Sequence, residues 1–183
     1  AQPSPQASRA VDFFVGRGWT RVQASAIVGH MMLESGLDTT ARNAGDGRDG
    51  SDSIGVSQWN AQRAQALAAF AASRGKPVTD FDTQLAFADA ELRGQVPTSD
   101  ESRWGRALMA AGDRRSASRA MISYLRPAGW TSSNPEAGHN FAARTAAAER
   151  LAGATSRAGA ETLQWVRQQI DTDRNAMNAD MLG

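Results

Sequence analysis

Residues 31–36 read Met31-Met32-Leu33-Glu34-Ser35-Gly36, and a stretch rich in glycine and aspartate then runs to Gly55-Val56-Ser57-Gln58-Trp59. A carboxylic acid among apolar side chains is pushed toward its neutral form, which a general acid needs in order to donate a proton near neutral pH. Several aspartates lie within one loop of Glu34, so a second carboxylate for an acid/base or electrostatic pair is on hand. Upstream, Thr20 with Gln23 three residues later forms a capping-box pattern, the apolar residues Val22, Ala26, Ile27, Met31 and Leu33 follow, and Gly36 is a suitable helix stop. Glu34 therefore belongs in the last turn of a buried helix. From about Leu37 to Ile54, glycines 45, 47 and 50 and aspartates 46, 49 and 52 are interspersed with little apolar periodicity. A long loop or a small β-hairpin is expected there.

Outward from this segment the pattern is helical. Leu67 and Phe70 lie among alanines on a helical face that begins at Asn60 and stops at Gly75, ahead of Pro77. Further helices are expected at roughly 82–93, 99–111, 115–125 and 135–152. Their punctuation is Gly94, Thr98 with Glu101 as a second capping box, Gly112, Arg126-Pro127, and Asn134-Pro135 as an N-cap with proline in the first helical position. Residues 1–7, with Pro3 and Pro5 in a small polar run, read as a linker or trimmed terminus; residues 8–152 form the domain. Leu163, Val166 and Ile170, with Trp165 nearby, suggest one more amphipathic helix within an extension over 153–183. The fold class is mainly α, with one irregular or small β insertion after the Glu34 helix.

Composition excludes several function classes. With 183 residues, 41% of them hydrophobic, the chain suits one sizeable core rather than two ordinary domains. A formal charge of +1 gives no field for a polyanion, so nucleic acid is not expected as a partner. No apolar run approaches the roughly 20 residues of a membrane-spanning helix, so membrane insertion is not expected either. There is no cysteine, hence no thiol nucleophile or disulfide, and His30 and His139 are too few and too separated for a zinc site. Asp46, Asp49 and Asp52 do not have the alternate-residue spacing of an EF-hand, and no metal is expected. His30 reads as a packed or capping histidine and His139 as a surface one. Arg114, Arg115, Arg119 and Arg126 read as a solvated helix face, and Trp104, Trp130 and Trp165 as core or lid residues.

The pair Glu34-Ser35, followed by a loop and Gly55-x-x-Gln58, resembles the signature of the lysozyme-like superfamily, specifically the soluble lytic transglycosylases and goose-type lysozymes. The string Gly47-Arg48-Asp49-Gly50-Ser51-Asp52-Ser53-Ile54-Gly55-Val56-Ser57-Gln58-Trp59, with Arg63 beyond it, is similar to the phage tail lysozyme family, a resemblance that covers about residues 8–130. The resemblance implies a lysozyme-like helical domain in which Glu34 is the general acid. Its substrate would be the glycan strands of peptidoglycan, cut at the β-1,4 bond between N-acetylmuramic acid and N-acetylglucosamine. Asp49 stands six residues before Gly55, the offset of the helper aspartate in a goose-type lysozyme, and is the first candidate for the second carboxylate. Asp46 and Asp52 compete with it. Ser35 and Gln58 match cleft-lining positions, and Trp59 is either a sugar platform or a core anchor. Tyr124-Leu125-Arg126-Pro127 resembles the Tyr-Glu-Arg-Pro turn of tail lysozymes, whose tyrosine faces the active-site glutamate; Leu125 departs from that pattern.

Glycoside cleavage passes through an oxocarbenium-like transition state, so one carboxyl must donate a proton while another group stabilises charge or activates water. Met31, Met32, Leu33 and Leu37 suit the first role for Glu34, and Asp49, expected to stay ionised among glycines and serines, suits the second. Without a nearby aspartate the sugar's own hydroxyl captures the cation, giving the 1,6-anhydro product of a lytic transglycosylase. A wall-binding or structural module of a phage tail or secretion apparatus is a further reading, as is a protein partner docked on the C-terminal helix. No cofactor is implied. The wall lies outside the cytoplasm, so the periplasm, the cell exterior or a virion tail is the expected place of action.

Overall fold

The structure is a computed structural model that describes residues 2–98, 100–154 and 168. The extension read as an amphipathic helix around Leu163 to Ile170 lies outside the described residues, apart from Gln168. Seven α-helices and one two-stranded hairpin make up the described chain. This mainly helical architecture with a small antiparallel hairpin agrees with the lysozyme-like expectation.

The first helix, α1 (Pro5–Gly16), starts inside the stretch read as a linker. Ser4 caps it by accepting the Ala7 N–H at 3.2 Å, and Pro5 takes the first position, where a missing N–H costs nothing. Ala7, Ala10, Val11 and Phe14 then form one buried stripe. Pro5 is thus helix-start chemistry, while Pro3 precedes the cap.

Helix α2 (Arg21–Ser35) is the axis of the fold. Its capping box forms as expected, with Gln23 N–H donating to Thr20 Oγ1 at 3.2 Å and Thr20 N–H to Gln23 Oε1 at 3.0 Å. Every residue from Gln23 to Met31 is buried, so the helix is enclosed on all sides rather than lying on a surface. Gly36, at φ 67°, ends it in the left-handed conformation. Leu37 follows at φ 66°, an unfavourable angle for a side-chain-bearing residue, held because its side chain is 1% exposed in the core.

The acidic loop forms a hairpin of β1 (Arg42–Asn43) and β2 (Ser53–Ile54), paired antiparallel with Arg42 opposite Ile54 and Asn43 opposite Ser53. Asp52 clamps it, accepting the Gly45 N–H at 2.9 Å and pairing with Arg42. Next come α3 (Ala61–Ser73), α4 (Phe81–Leu92), α5 (Glu101–Met109) and α6 (Arg114–Leu125). The second capping box is not made. Helix α5 is preceded by Asp100 with no side-chain cap, because Glu101 is fully buried and turned to the Arg126 guanidinium.

The helix expected over 135–152 is two pieces. Pro135–Ala137 is one 3-10 turn, and α7 (Phe141–Gly153) starts only after Asn140, which sits at φ 61°. The break is fixed from outside: the His139 N–H donates to Ala128 O at 2.8 Å, and Gly138 lies so close to Ile122 that a Cβ would fall 2.9 Å from its Cγ1. Helix α7 crosses α2 at a single glycine. A Cβ on Gly29 would lie 2.6 Å from the backbone nitrogen of Ala148, so only a residue without a side chain permits this approach. No helix among the described residues is long and apolar enough to cross a membrane.

Candidate active site

Glu34 lies at the end of α2 with its side chain 16% exposed. Burial raises its pKa above the usual carboxylate value. Arg144, and more weakly His139, oppose that rise, while the negative charge of Asp46 adds to it. Arg144 comes from α7 and is itself only 2% exposed. Its Nη1 lies 2.6 Å from Glu34 Oε1 and donates to His30 O at 3.2 Å, and its Nε donates to His139 O at 3.0 Å. Sequence reading did not find this arginine. A signal was present: Arg144, Ala147, Ala148 and Leu151 share the buried stripe of α7, and a cation at an apolar-stripe position requires a buried acid or carbonyls to receive it.

The loop aspartates separate by what they hold. Asp49 is exposed, and its carboxylate accepts the Ser51 N–H at 3.1 Å and hydroxyl at 2.6 Å, which holds its pKa below the usual value. It serves its own turn and exerts no resolved influence on Glu34. Asp52 serves the hairpin in the same way. Asp46 is exposed, accepts only the Ser53 hydroxyl at 2.8 Å, and is the aspartate whose charge acts on Glu34. Of the three loop aspartates, Asp46 is the one whose charge raises the Glu34 pKa.

Ser35 and Gln58, expected to line a cleft, hold the segment around Gly55 and Val56 in place. Ser35 Oγ donates to Val56 O at 3.1 Å, tying the end of α2 to the segment after the hairpin. That segment is gripped from the other side by Gln84, fully buried, whose Oε1 accepts the Val56 N–H at 2.9 Å and whose amide donates to Thr39 O and Val78 O at 2.9 and 2.8 Å. Gly55 is required there on two counts, its φ of 71° and the 2.6 Å that would separate a Cβ from Gln84 Oε1. Gln58, half-buried at φ 52°, donates to Gly55 O at 3.0 Å and closes the same turn.

Trp59 and Tyr124 do not face Glu34. Both are fully buried, which leaves Trp59 no face for a sugar ring and makes it a core anchor. The acid they meet is Glu91 on α4, whose Oε2 accepts the Trp59 Nε1–H at 2.8 Å and the Tyr124 hydroxyl at 2.5 Å. Arg63 binds both Glu91 oxygens, at 2.9 and 2.8 Å, and stacks over the Tyr124 ring with its guanidinium carbon 4.5 Å from the centroid. Burial and the neighbouring Glu91 hold the Tyr124 pKa well above its ordinary value, so the phenol stays protonated. Behind this group, Glu101 pairs with Arg126 Nη2 at 2.5 Å. The tyrosine-containing turn is thus built around a structural acid absent from the sequence expectation.

His30 lies one turn before Glu34, fully buried, and neither ring nitrogen has a hydrogen-bond partner among the described residues. Burial, reinforced by the Arg144 charge, pulls its pKa down to about 3, so it is a neutral packed residue, as expected. Among the described residues, no group of three or more His, Asp or Glu is placed to hold a metal ion. The site is a single partly open carboxyl at a helix end, paired with one buried arginine, and the charge of an exposed aspartate acts on it. No curated protein shows significant similarity to the chain. The family model for phage tail lysozymes matches residues 5–154, every element from α1 to α7, and the chain belongs to that family.

Proposed function

We propose that the chain is a muramidase that hydrolyses the β-1,4 bond between N-acetylmuramic acid and N-acetylglucosamine, with Glu34 as general acid and Asp46 as the second carboxylate. Membership of the phage tail lysozyme family supports a lysozyme-like role on peptidoglycan, carried out from a virion tail or in the periplasm. The observation that carries the finer reading is the contrast within the site: Glu34 is enclosed and its proton is held more tightly than usual, while Asp46 is exposed and near enough to act on it.

In the reaction the Glu34 proton passes to the glycosidic oxygen as the C1–O bond breaks, leaving positive charge on the muramic acid ring. Asp46 accepts a proton from the water that attacks C1, and the product carries a reducing end. The influence of the Asp46 charge on Glu34 favours hydrolysis over internal capture by the sugar hydroxyl. Gln58 and Ser35 support the cleft by fixing the Gly55-Val56 turn.

Mass spectrometry of soluble products from purified peptidoglycan tests this with the wild type and Glu34→Gln. Reducing-end muropeptides that disappear in the variant are expected. Anhydro ends would transfer the assignment to a lytic transglycosylase, and no release by either protein would leave a wall-binding module.

A further inference from the structure

We propose that Arg144 is the positioning residue of the general acid, a clamp on Glu34 Oε1 that leaves Oε2 to deliver the proton. The inference rests on the muramidase reading and adds to it a residue from the far end of the domain. Three contacts carry it. Arg144 Nη1 reaches Glu34 Oε1 at 2.6 Å, Nη1 donates to His30 O, and Nε donates to His139 O. The guanidinium is therefore held by a carbonyl on α2 and one on the break before α7, and a 2% exposed side chain has no room to swing away. Glu34 Oε1 is buried and accepts no aligned hydrogen bond, so Arg144 holds it as an ion pair, and Oε2 accepts no hydrogen bond among the described residues. A carboxyl held at one oxygen and free at the other presents a fixed direction for proton transfer, and misplacement of a reacting group by about 1 Å costs on the order of 10²-fold in rate.

The clamp also sets the pH range of the site. The titratable and charged groups acting on Glu34 are Arg144 from α7, His139 from the turn before it, and Asp46 from the hairpin loop; His30, on the same helix, is neutral. Arg144 alone among them approaches to ion-pair distance. Without it Glu34 keeps its burial and loses its nearest cation, so the proton is held to higher pH.

The test combines a ¹³C-carboxyl NMR titration of Glu34 with pH profiles of peptidoglycan hydrolysis for the wild type, Arg144→Met and Arg144→Lys. Arg144→Met is expected to raise the Glu34 midpoint, and with it the alkaline limb, by about 1–3 pH units. It should also lower kcat by about 10²-fold with KM little changed. Arg144→Lys, which keeps the charge but not the planar fork, should hold the midpoint near the wild-type value and recover only part of kcat. An unshifted midpoint in Arg144→Met, or equal kcat per folded molecule, overturns the clamp. If Arg144→Met does not fold, full wild-type kcat in Arg144→Lys overturns it instead. An inactive wild type whose midpoint still shifts in Arg144→Met overturns the muramidase reading and leaves the electrostatic clamp standing.

Discussion

Glu34 and Glu91 are both enclosed acids paired with an enclosed arginine, and they are built for opposite ends. Glu91 has no exposed side-chain surface and receives four donors: two from Arg63, the Trp59 indole and the Tyr124 hydroxyl. Glu34 is 16% exposed and receives one arginine on one oxygen. A carboxyl saturated with hydrogen bonds is locked in place by them, so Glu91 fixes α3, α4 and α6 around it. A carboxyl with one free oxygen at an opening can exchange its proton with whatever enters. In this fold incomplete satisfaction, rather than burial, distinguishes the proposed general acid from the acid that holds the core.

The sharpest way to break this comparison is to remove the same charge from both. Glu34→Gln is expected to lower turnover by about 10²–10⁴-fold with little change in Tm, since it deletes the proton donor and leaves the packing. Glu91→Gln is expected to leave activity per folded molecule near wild type but to cost about 3–5 kcal/mol, because Arg63 becomes a buried charge with its nearest partner gone. Chemical denaturation alongside a turnover assay separates the two; equal effects on both readouts would erase the distinction.

His30 supplies a pH test that belongs to the Glu34 side alone. Its folded pKa of about 3 lies below the ordinary histidine value of 6.5, so between those limits the unfolded chain binds a proton that the folded chain refuses. Stability therefore falls as pH falls through this window, by about 1.4 kcal/mol per pH unit at most. The difference in unfolding free energy between wild type and His30→Leu should change with pH between these limits and be flat above pH 7. A constant difference would mean that the ring is solvated.

On the Glu91 side a smaller probe is available. Tyr124→Phe removes one of the four donors and should cost about 1–3 kcal/mol without changing the pH profile of activity. The smallest pH shift separates the loop aspartates. Asp46→Asn removes the proposed base, which should lower kcat by about 10²–10⁴-fold. It also removes a charge that raises the Glu34 pKa, so the alkaline limb of the residual activity should move to lower pH by less than about one unit, whereas Asp49→Asn should leave both in place. A shift in Asp49→Asn and none in Asp46→Asn would return the role of second carboxylate to Asp49.

What could be read in the sequence was local. The Thr20–Gln23 box, the Gly36 stop and the hairpin around residues 42–54 depend on neighbours within a few positions, and their chemistry is written in those positions. The start of α1 at Pro5 and the break before α7 were equally local, but proline and asparagine each serve more than one structure, and the deciding contacts come from Ile122 and Ala128. The partner of each buried charge was not legible. Arg144, Glu91 and Glu101 occupy buried helical positions, a pattern that announces a charge needing a partner without naming it. Tyr124 shows the cost of this gap: its turn is recognisable, yet which acid it faces depends on where α4 packs, and Glu91 reads in sequence as an ordinary helix residue.

The clamp has a consequence for how the molecule comes into being. Arg144 and the His30 carbonyl that holds it are 114 residues apart in sequence, and they meet only once α7 lies across Gly29. A chain growing from its N-terminus carries Glu34, the hairpin and Asp46 long before it carries α7. Until that last helix arrives, the acid has no anchor and α2 lacks one of its walls. A site so arranged is assembled only when its domain is complete, and a chain cut short before α7 would retain Glu34 while lacking the arginine that pairs with it.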